Sequence, residues 1–214
     1  MGFYWVKTRW FIKSIFRNYV WSIPNPEKTI YLTFDDGPAP EITEWVLDLL
    51  NKEDVKATFF CIGNNIDKHP AVFRKIIDAG HAVGNHTYNH LNGWNIEDGA
   101  YYLNVDSAEQ SIVSRYPAFT TNKLFRPPYG KITASQSANL RKKGYQIIMW
   151  DVLSADFDQS ISPEKCLKNV INNTCAGSVI IFHDSIKASR NLYYALPKAI
   201  DYLRKEGYSF DKIS

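Results

Sequence analysis

Two adjacent carboxylates, Asp35 and Asp36, end the short apolar run Thr29–Phe34 and are followed at once by Gly37 and Pro38, which stop a strand and turn the chain. Neighbouring side chains on extended backbone point to opposite sides, so each acid needs its own partner. A metal ion for one and an arginine for the other would serve. His86 and His90 are four residues apart. If that segment turns helically, both rings share a face, a common way to present two nitrogens to zinc. A carboxylate from elsewhere would complete a facial triad with positions left for water and substrate. In Arg126-Pro127-Pro128-Tyr129 the stiff Pro-Pro step aims the backbone N–H of Tyr129, a donor suited to an oxyanion. Taken singly, each motif has an ordinary explanation: a polar turn, loop histidines, a solvated arginine. Their common placement decides between the readings.

That placement follows from the elements. Strand-length apolar runs at Thr29–Phe34, Ala57–Ile62, His81–Gly84, Lys123–Arg126, Tyr145–Trp150, Ser178–Phe182 and Tyr208–Asp211 alternate with segments of helical period. The helices are expected at Glu41–Lys52, Ala71–Ala79, Ile96–Tyr116, Thr133–Lys143, Pro163–Asn172 and Leu192–Glu206. Such alternation predicts an α/β fold on a mainly parallel sheet, either doubly wound or a closed or incomplete barrel. No GxGxxG follows the first strand, so a dinucleotide site has no support. Asp35 and Asp36 follow the first strand, His86 and His90 the third, Arg126 to Tyr129 the fourth, Asp151 and Asp156 the fifth, and His183 and Asp184 the sixth. In a parallel barrel these points share one rim, where such barrels put their active sites.

The bulk composition narrows the alternatives. A chain of 214 residues, 45% hydrophobic and 22% charged, suits one soluble domain. Residues 1–28 hold Lys7, Arg9, Lys13, Arg17 and Lys28 against Glu27, a net of +4, so the remainder of this +3 chain carries −1 and has no basic footprint for nucleic acid. Cys61, Cys166 and Cys175 have no close CxxC pairing, which argues against a disulfide framework or zinc knuckle. Residues 1–19 mix aromatic and basic side chains; no run is long enough to span a membrane, and charges interrupt any signal-peptide core. The preferred reading is a terminal helix packed on the domain, the alternative an amphipathic helix making peripheral contact, through residues 1–20, with an anionic membrane.

Thr33-Phe34-Asp35-Asp36-Gly37-Pro38, His86-Thr87-Tyr88-Asn89-His90, Arg126-Pro127-Pro128-Tyr129 and Ile181-Phe182-His183, in that order, resemble the signature of the polysaccharide deacetylase family (NodB homology, carbohydrate esterase family 4). The resemblance covers residues 29–214, with 1–28 as an extension, and implies a deformed (β/α)7 TIM-like barrel. It implies metal-dependent removal of N-acetyl, or sometimes O-acetyl, groups from a sugar polymer, with a divalent ion, Zn2+ first and Co2+ or Ni2+ as substitutes. By the same resemblance Asp36, His86 and His90 are the metal ligands and Asp35 the general base, held by Arg126. Tyr129 supplies the oxyanion N–H and contacts substrate, His183 is the general acid and Asp156 its partner. Ile181 stands where the family usually has Leu and lines the pocket for the acetyl methyl. Phe157 stands where the family usually has Trp, and Leu153 where it has a further Asp, so no role is assigned to that earlier position.

The partner expected is an acetylated glycan, acted on by a monomer. Chitin fragments, peptidoglycan, poly-N-acetylglucosamine and acetylxylan all stay open. A polymer substrate points to the envelope, whereas the missing signal points to the cytoplasm. Two rivals are an amidohydrolase of the same fold acting on a small cyclic amide, and a sugar-binding protein without catalysis.

Overall fold

The computed structural model describes residues 4–214. Helices and strands alternate through most of its length: β1 (Thr29–Asp35), α2 (Ile42–Lys52), β2 (Thr58–Cys61), α3 (Gly63–Lys68), α4 (Pro70–Asp78), β3 (Ala82–Asn85), α5 (Asp98–Val113), β4 (Lys123–Phe125), α6 (Ala134–Lys142), β5 (Tyr145–Ile147), β6 (Val152–Leu153), α7 (Pro163–Ile171), β7 (Val179–His183), α8 (Ser189–Lys205) and β8 (Ser209–Phe210), with a short α1 (Trp10–Ile15) before them. The helices form for local reasons. In α2, Ile42, Val46, Leu47 and Leu50 recur on one face and are buried, while Glu41 and Glu44 close a capping box at its start. Helix α8 buries Leu192, Ala195, Leu196, Ala199, Ile200 and Leu203 in the same way.

The strands pair in the order β5-β4-β3-β2-β1-β7-β6, and β8 joins the start of β1. Every named pair is parallel. The sheet curls into the deformed parallel barrel that the alternation and the motifs predicted. Side-chain alternation sorts each strand into two faces. Phe34, Phe59 and Phe182 belong to the main core cluster under the helices. Residues one position away, Thr33 and Asp35 on β1, Ile181 and His183 on β7, and His86 and Arg126 beyond β3 and β4, take the other face.

The expected strand Tyr145–Trp150 is split. Its first part pairs with β4, and by Asp151, whose N–H donates to Val179 O, the chain has crossed to β7. One continuous stretch thus links both edges of the curled sheet, and carbonyls must leave the ladder where it crosses. The fully buried Arg126 takes them, its Nε donating to Ile148 O and its Nη2 to Met149 O. Phe60 lies under the guanidinium, 4.1 Å from ring centroid to Cζ. A side chain at Gly84 would meet that ring at 2.3 Å, so β3 needs glycine there.

The N-terminal segment lies over this crossing. Leu153 N–H donates to Val6 O and Thr8 N–H to Asp151 O, while Val20 exchanges backbone bonds with Ile147 and Met149. These bonds occupy backbone groups of β5, β6 and the crossing between them. The expectation from sequence is a terminal helix packed on the domain. The helical part is only the six residues of α1, none of them buried, and the segment meets the barrel through its backbone, through Lys7 and Lys13, and through the side chains of Tyr4, Ile12, Tyr19 and Trp21. Asp151, read from sequence as part of the rim, is drawn away into this interface. It is fully buried and bound by Lys7, Lys13 and Ser178 Oγ. Burial opposes its ionisation, but the two lysines and Ser178 outweigh that and lower its pKa. Replacing Lys7 and Lys13 together by Ala leaves a buried carboxylate with one hydroxyl. We expect a loss of about 2–3 kcal/mol, discounted because the lysines are partly solvated, seen as a lower Tm with unchanged rates on soluble substrate below it.

Candidate active site

Asp35 closes β1 and points inward beside Arg126, whose Nη1 donates to Asp35 Oδ1 at 2.7 Å and to Thr33 Oγ1 at 2.7 Å. Thr33 passes the chain of bonds on to Ile180 O. One carboxylate oxygen is therefore fixed by a charge-assisted bond at a buried position. The other, Oδ2, faces His86 Nε2 at 3.8 Å.

Asp36 leaves the strand with φ 83, which turns its side chain away from that of Asp35. Its Oδ1 lies 3.2 Å from His90 Nε2 and 3.8 Å from His86 Nε2. One ligand atom from each of Asp36, His86 and His90 lies within 4.8 Å of the others, the one such cluster among the described residues. Three observations show that this set fits a divalent cation. Asp36 Oδ1 is buried without a hydrogen-bond partner. His86 Nδ1 sits 2.7 Å from Arg126 O, a bond only an N–H can make, so Nε2 carries the lone pair. Burial lowers His86 to about 4, which keeps the imidazole neutral, the form that binds metals. On the other ring, His90 Nδ1 meets the hydroxyl of Tyr129 at 3.1 Å.

The helical turn that would have put the two histidines on one face is not there. His86 follows β3 directly, and Thr87 and His90 both have positive φ, 62 and 55. Such backbone is held from outside. Asn85 Oδ1 accepts Thr87 N–H, Asn104 Oδ1 accepts the N–H groups of Tyr88 and Asn89, and Thr87 Oγ1 accepts Leu91 N–H. Helix α3, absent from the sequence reading, lends its first N–H groups: Gly63 donates to Thr87 O and Asn64 to Tyr88 O. A Cβ on Gly63 would strike the Tyr88 ring at 2.6 Å. Asn65 Nδ2 donates to Asp36 O, so one helix end steadies both ligand loops.

His183 ends β7, directly opposite Asp35 in the register. Asp156 grips it twice, Oδ2 accepting the backbone N–H and Oδ1 facing ring Nδ1, each at 2.7 Å. Burial alone would lower the pKa of this ring, but the charge and hydrogen bond of Asp156, with Asp36 and Asp35 behind it, raise it to about 9. The ring is thus protonated at neutral pH, with Asp156 holding its Nδ1 side. Phe157 meets it edge-on at 5.2 Å, and Tyr4 packs on Phe157 at 5.8 Å. Ile181, 2% exposed, packs with Leu153 and Ala155. Tyr129 has φ 60, and its N–H has no acceptor among the described residues. Asp184, also on the expected rim, is buried and holds the turn after Asp36 instead, accepting from Gly37 N–H and Thr43 Oγ1. Burial pushes it up to about 8, so this carboxyl is mostly neutral at pH 7.

The structure therefore gathers Asp35, Asp36, His86, His90, Arg126, Tyr129, Asp156 and His183 into linked contacts, with Phe157 and Ile181 beside His183. Sequence reasoning missed the supports: Asn65, Asn85, Asn104, Thr33 and the Tyr129 hydroxyl. An asparagine directly before His86, where a strand must stop, was the one local signal for them.

A curled parallel barrel carrying acid, imidazole and guanidinium groups at the carboxyl ends of its strands is the construction of an α/β-barrel enzyme. The chain belongs to the polysaccharide deacetylase family, whose model matches residues 22–148. A peptidoglycan-N-acetylglucosamine deacetylase of Bacillus cereus is 34% identical over 199 residues, covering 91% of this chain and 90% of the relative. The crystal structure of the Bc1960 peptidoglycan N-acetylglucosamine deacetylase matches with a TM-score of 0.87 and 32% identity, over 96% of this chain and 95% of that one. Membership makes the protein a hydrolase of carbon–nitrogen bonds on a polysaccharide. BA3943 of Bacillus anthracis, described as a CE4 family pseudoenzyme, also matches, with a TM-score of 0.77 and 26% identity over 88% of this chain and 64% of that one. Since that neighbour shares the barrel, it is the side chains that bear on turnover.

Proposed function

We propose that the protein is a metal-dependent deacetylase that removes N-acetyl groups from the N-acetylglucosamine of peptidoglycan, at the cell envelope, releasing acetate. The observation that carries this reading is the flanking of the Asp36, His86 and His90 cluster by two differently prepared groups, Asp35 tied to Arg126 and His183 tied to Asp156. The names of the relatives support the polymer. Those named for peptidoglycan N-acetylglucosamine align over 86% to 91% of this chain, whereas a chitooligosaccharide deacetylase of Bradyrhizobium aligns over 73%.

Asp36, His86 and His90 would hold a divalent cation, Zn2+ or in its place Co2+ or Ni2+, which would supply Lewis acidity toward the carbonyl and the water. Asp35 accepts the proton of the attacking water through the oxygen that Arg126 leaves free. The N–H of Tyr129 stabilises the tetrahedral oxyanion, a donor worth about 3 kcal/mol in comparable sites. The sugar amine is a poor leaving group, and His183 delivers the proton it needs before the C–N bond breaks. Ile181 and Phe157 line the apolar side where the acetyl methyl lies.

The substrate assignment is tested by acetate release across peptidoglycan, chitooligosaccharides, acetylxylan and a cyclic amide, at known metal content. Preference for peptidoglycan supports the reading. Release confined to acetylxylan, or turnover of the cyclic amide alone, contradicts it.

The pH dependence follows from His183. Its acid form is present below about 9 and is lost as pH rises through that value, so activity falls on the alkaline side. Asp156→Asn removes the first of the raising causes, and burial, which lowers, then acts with less opposition. We expect the alkaline limb of kcat to move toward or below the ordinary 6.5, costing about 30-fold at pH 8 from the protonated fraction. An unmoved limb in the pH profile would remove His183 as the acid.

A further inference from the structure

We propose that residues 9–17 form a face that docks the enzyme on an anionic lipid surface. Within this stretch Trp10 is 78% exposed, Ile15 69%, Phe16 47% and Phe11 42%. The backbone on both sides is fixed to the barrel, by Thr8 bound to Asp151 and Trp150 and by Val20 bound to Ile147 and Met149. These apolar side chains are therefore displayed on a held frame. Lys13, in α1, is turned to the barrel and bound to Asp151, and Ile12 packs against the core, which leaves Trp10, Phe11 and Ile15 of the helix outward. A cluster of this kind marks an interaction surface.

Charge selects the occupant. No carboxylate precedes Glu27 in the sequence. Lys7 and Lys13 are engaged by Asp151, while Arg9 and Arg17, both exposed, stand at either end of the apolar cluster. Indole and phenyl rings settle at headgroup depth, and flanking arginines bind lipid phosphates. A second copy on the same face would set these arginines against their equivalents. No helix among the described residues is long and apolar enough to cross a membrane, so the contact is with the surface. The matched family region starts at residue 22, so this face lies on a part of the chain outside it. The inference does not rest on the assignment of the active site.

Co-sedimentation of the full chain with vesicles of phosphatidylcholine alone, or mixed with phosphatidylglycerol, tests it. Binding is expected to the mixed vesicles and to weaken with salt. Trp10→Ser, Phe11→Ser and Ile15→Ser combined should lower the bound fraction at least about tenfold, with the melting curve and acetate release from a soluble chitooligosaccharide unchanged. Arg9→Gln with Arg17→Gln, which alters no apolar contact, should weaken binding to the mixed vesicles only. Absence of binding to either vesicle, equal binding by the triple variant, or a dimer in light scattering that the triple variant dissolves would each overturn the proposal.

Discussion

Asp35→Asn should lower kcat by about 1,000-fold while the metal content of the purified protein stays that of the wild type. The amide keeps an oxygen for Arg126 Nη1 but accepts no proton from water, so the loss falls on the chemical step. It also leaves the buried guanidinium without its counter-charge, since the other partners of Arg126 are Thr33 Oγ1 and the carbonyls of Ile148 and Met149. A loss of about 2–3 kcal/mol in stability is expected alongside, and rates belong well below the lowered Tm. Elemental analysis with steady-state kinetics checks both halves. Wild-type turnover would remove Asp35 as the base; loss of metal along with turnover would mean that Asp35 belongs to the cation site.

His86→Ala should fail in the opposite order. Its Nε2 is presented to Asp36 because Nδ1–H is bound to Arg126 O, and no neighbouring side chain replaces that nitrogen. Cation affinity is expected to fall at least about 100-fold, more than loss of a supporting hydrogen bond costs such sites, and activity with it. Dialysis followed by elemental analysis should find the variant nearly free of metal where Asp35→Asn retains it. Unchanged metal in His86→Ala would remove His86 as a ligand. The two variants together separate the base from the cation site.

What the sequence made legible is what repeats with a period. Apolar runs ending in acid, imidazole or guanidinium marked the sheet and its functional rim, because strand alternation carries Thr33 to Asp35 and Ile181 to His183 on one face. Backbone held by distant partners has no such period. His86 and His90 converge through positive φ at Thr87 and His90, supported by Asn85, Asn104 and the first turn of α3, and four-residue spacing suggested a helix instead. Asp151 stood at the right place in the chain for the rim. It is diverted because Lys7 and Lys13, more than a hundred residues away, reach it first. Arg126 was read as the partner of Asp35, but its second task, holding carbonyls where the chain crosses between sheet edges, depends on a crossing that only the closed fold creates.

The most direct test is a titration of metal-free protein with Zn2+ in which bound metal and acetate release from an N-acetylglucosamine oligomer are followed together. The account predicts that release rises from background in proportion to bound metal and levels off at one ion per chain. Full release from metal-free protein, or no release at one bound ion per chain, would contradict it.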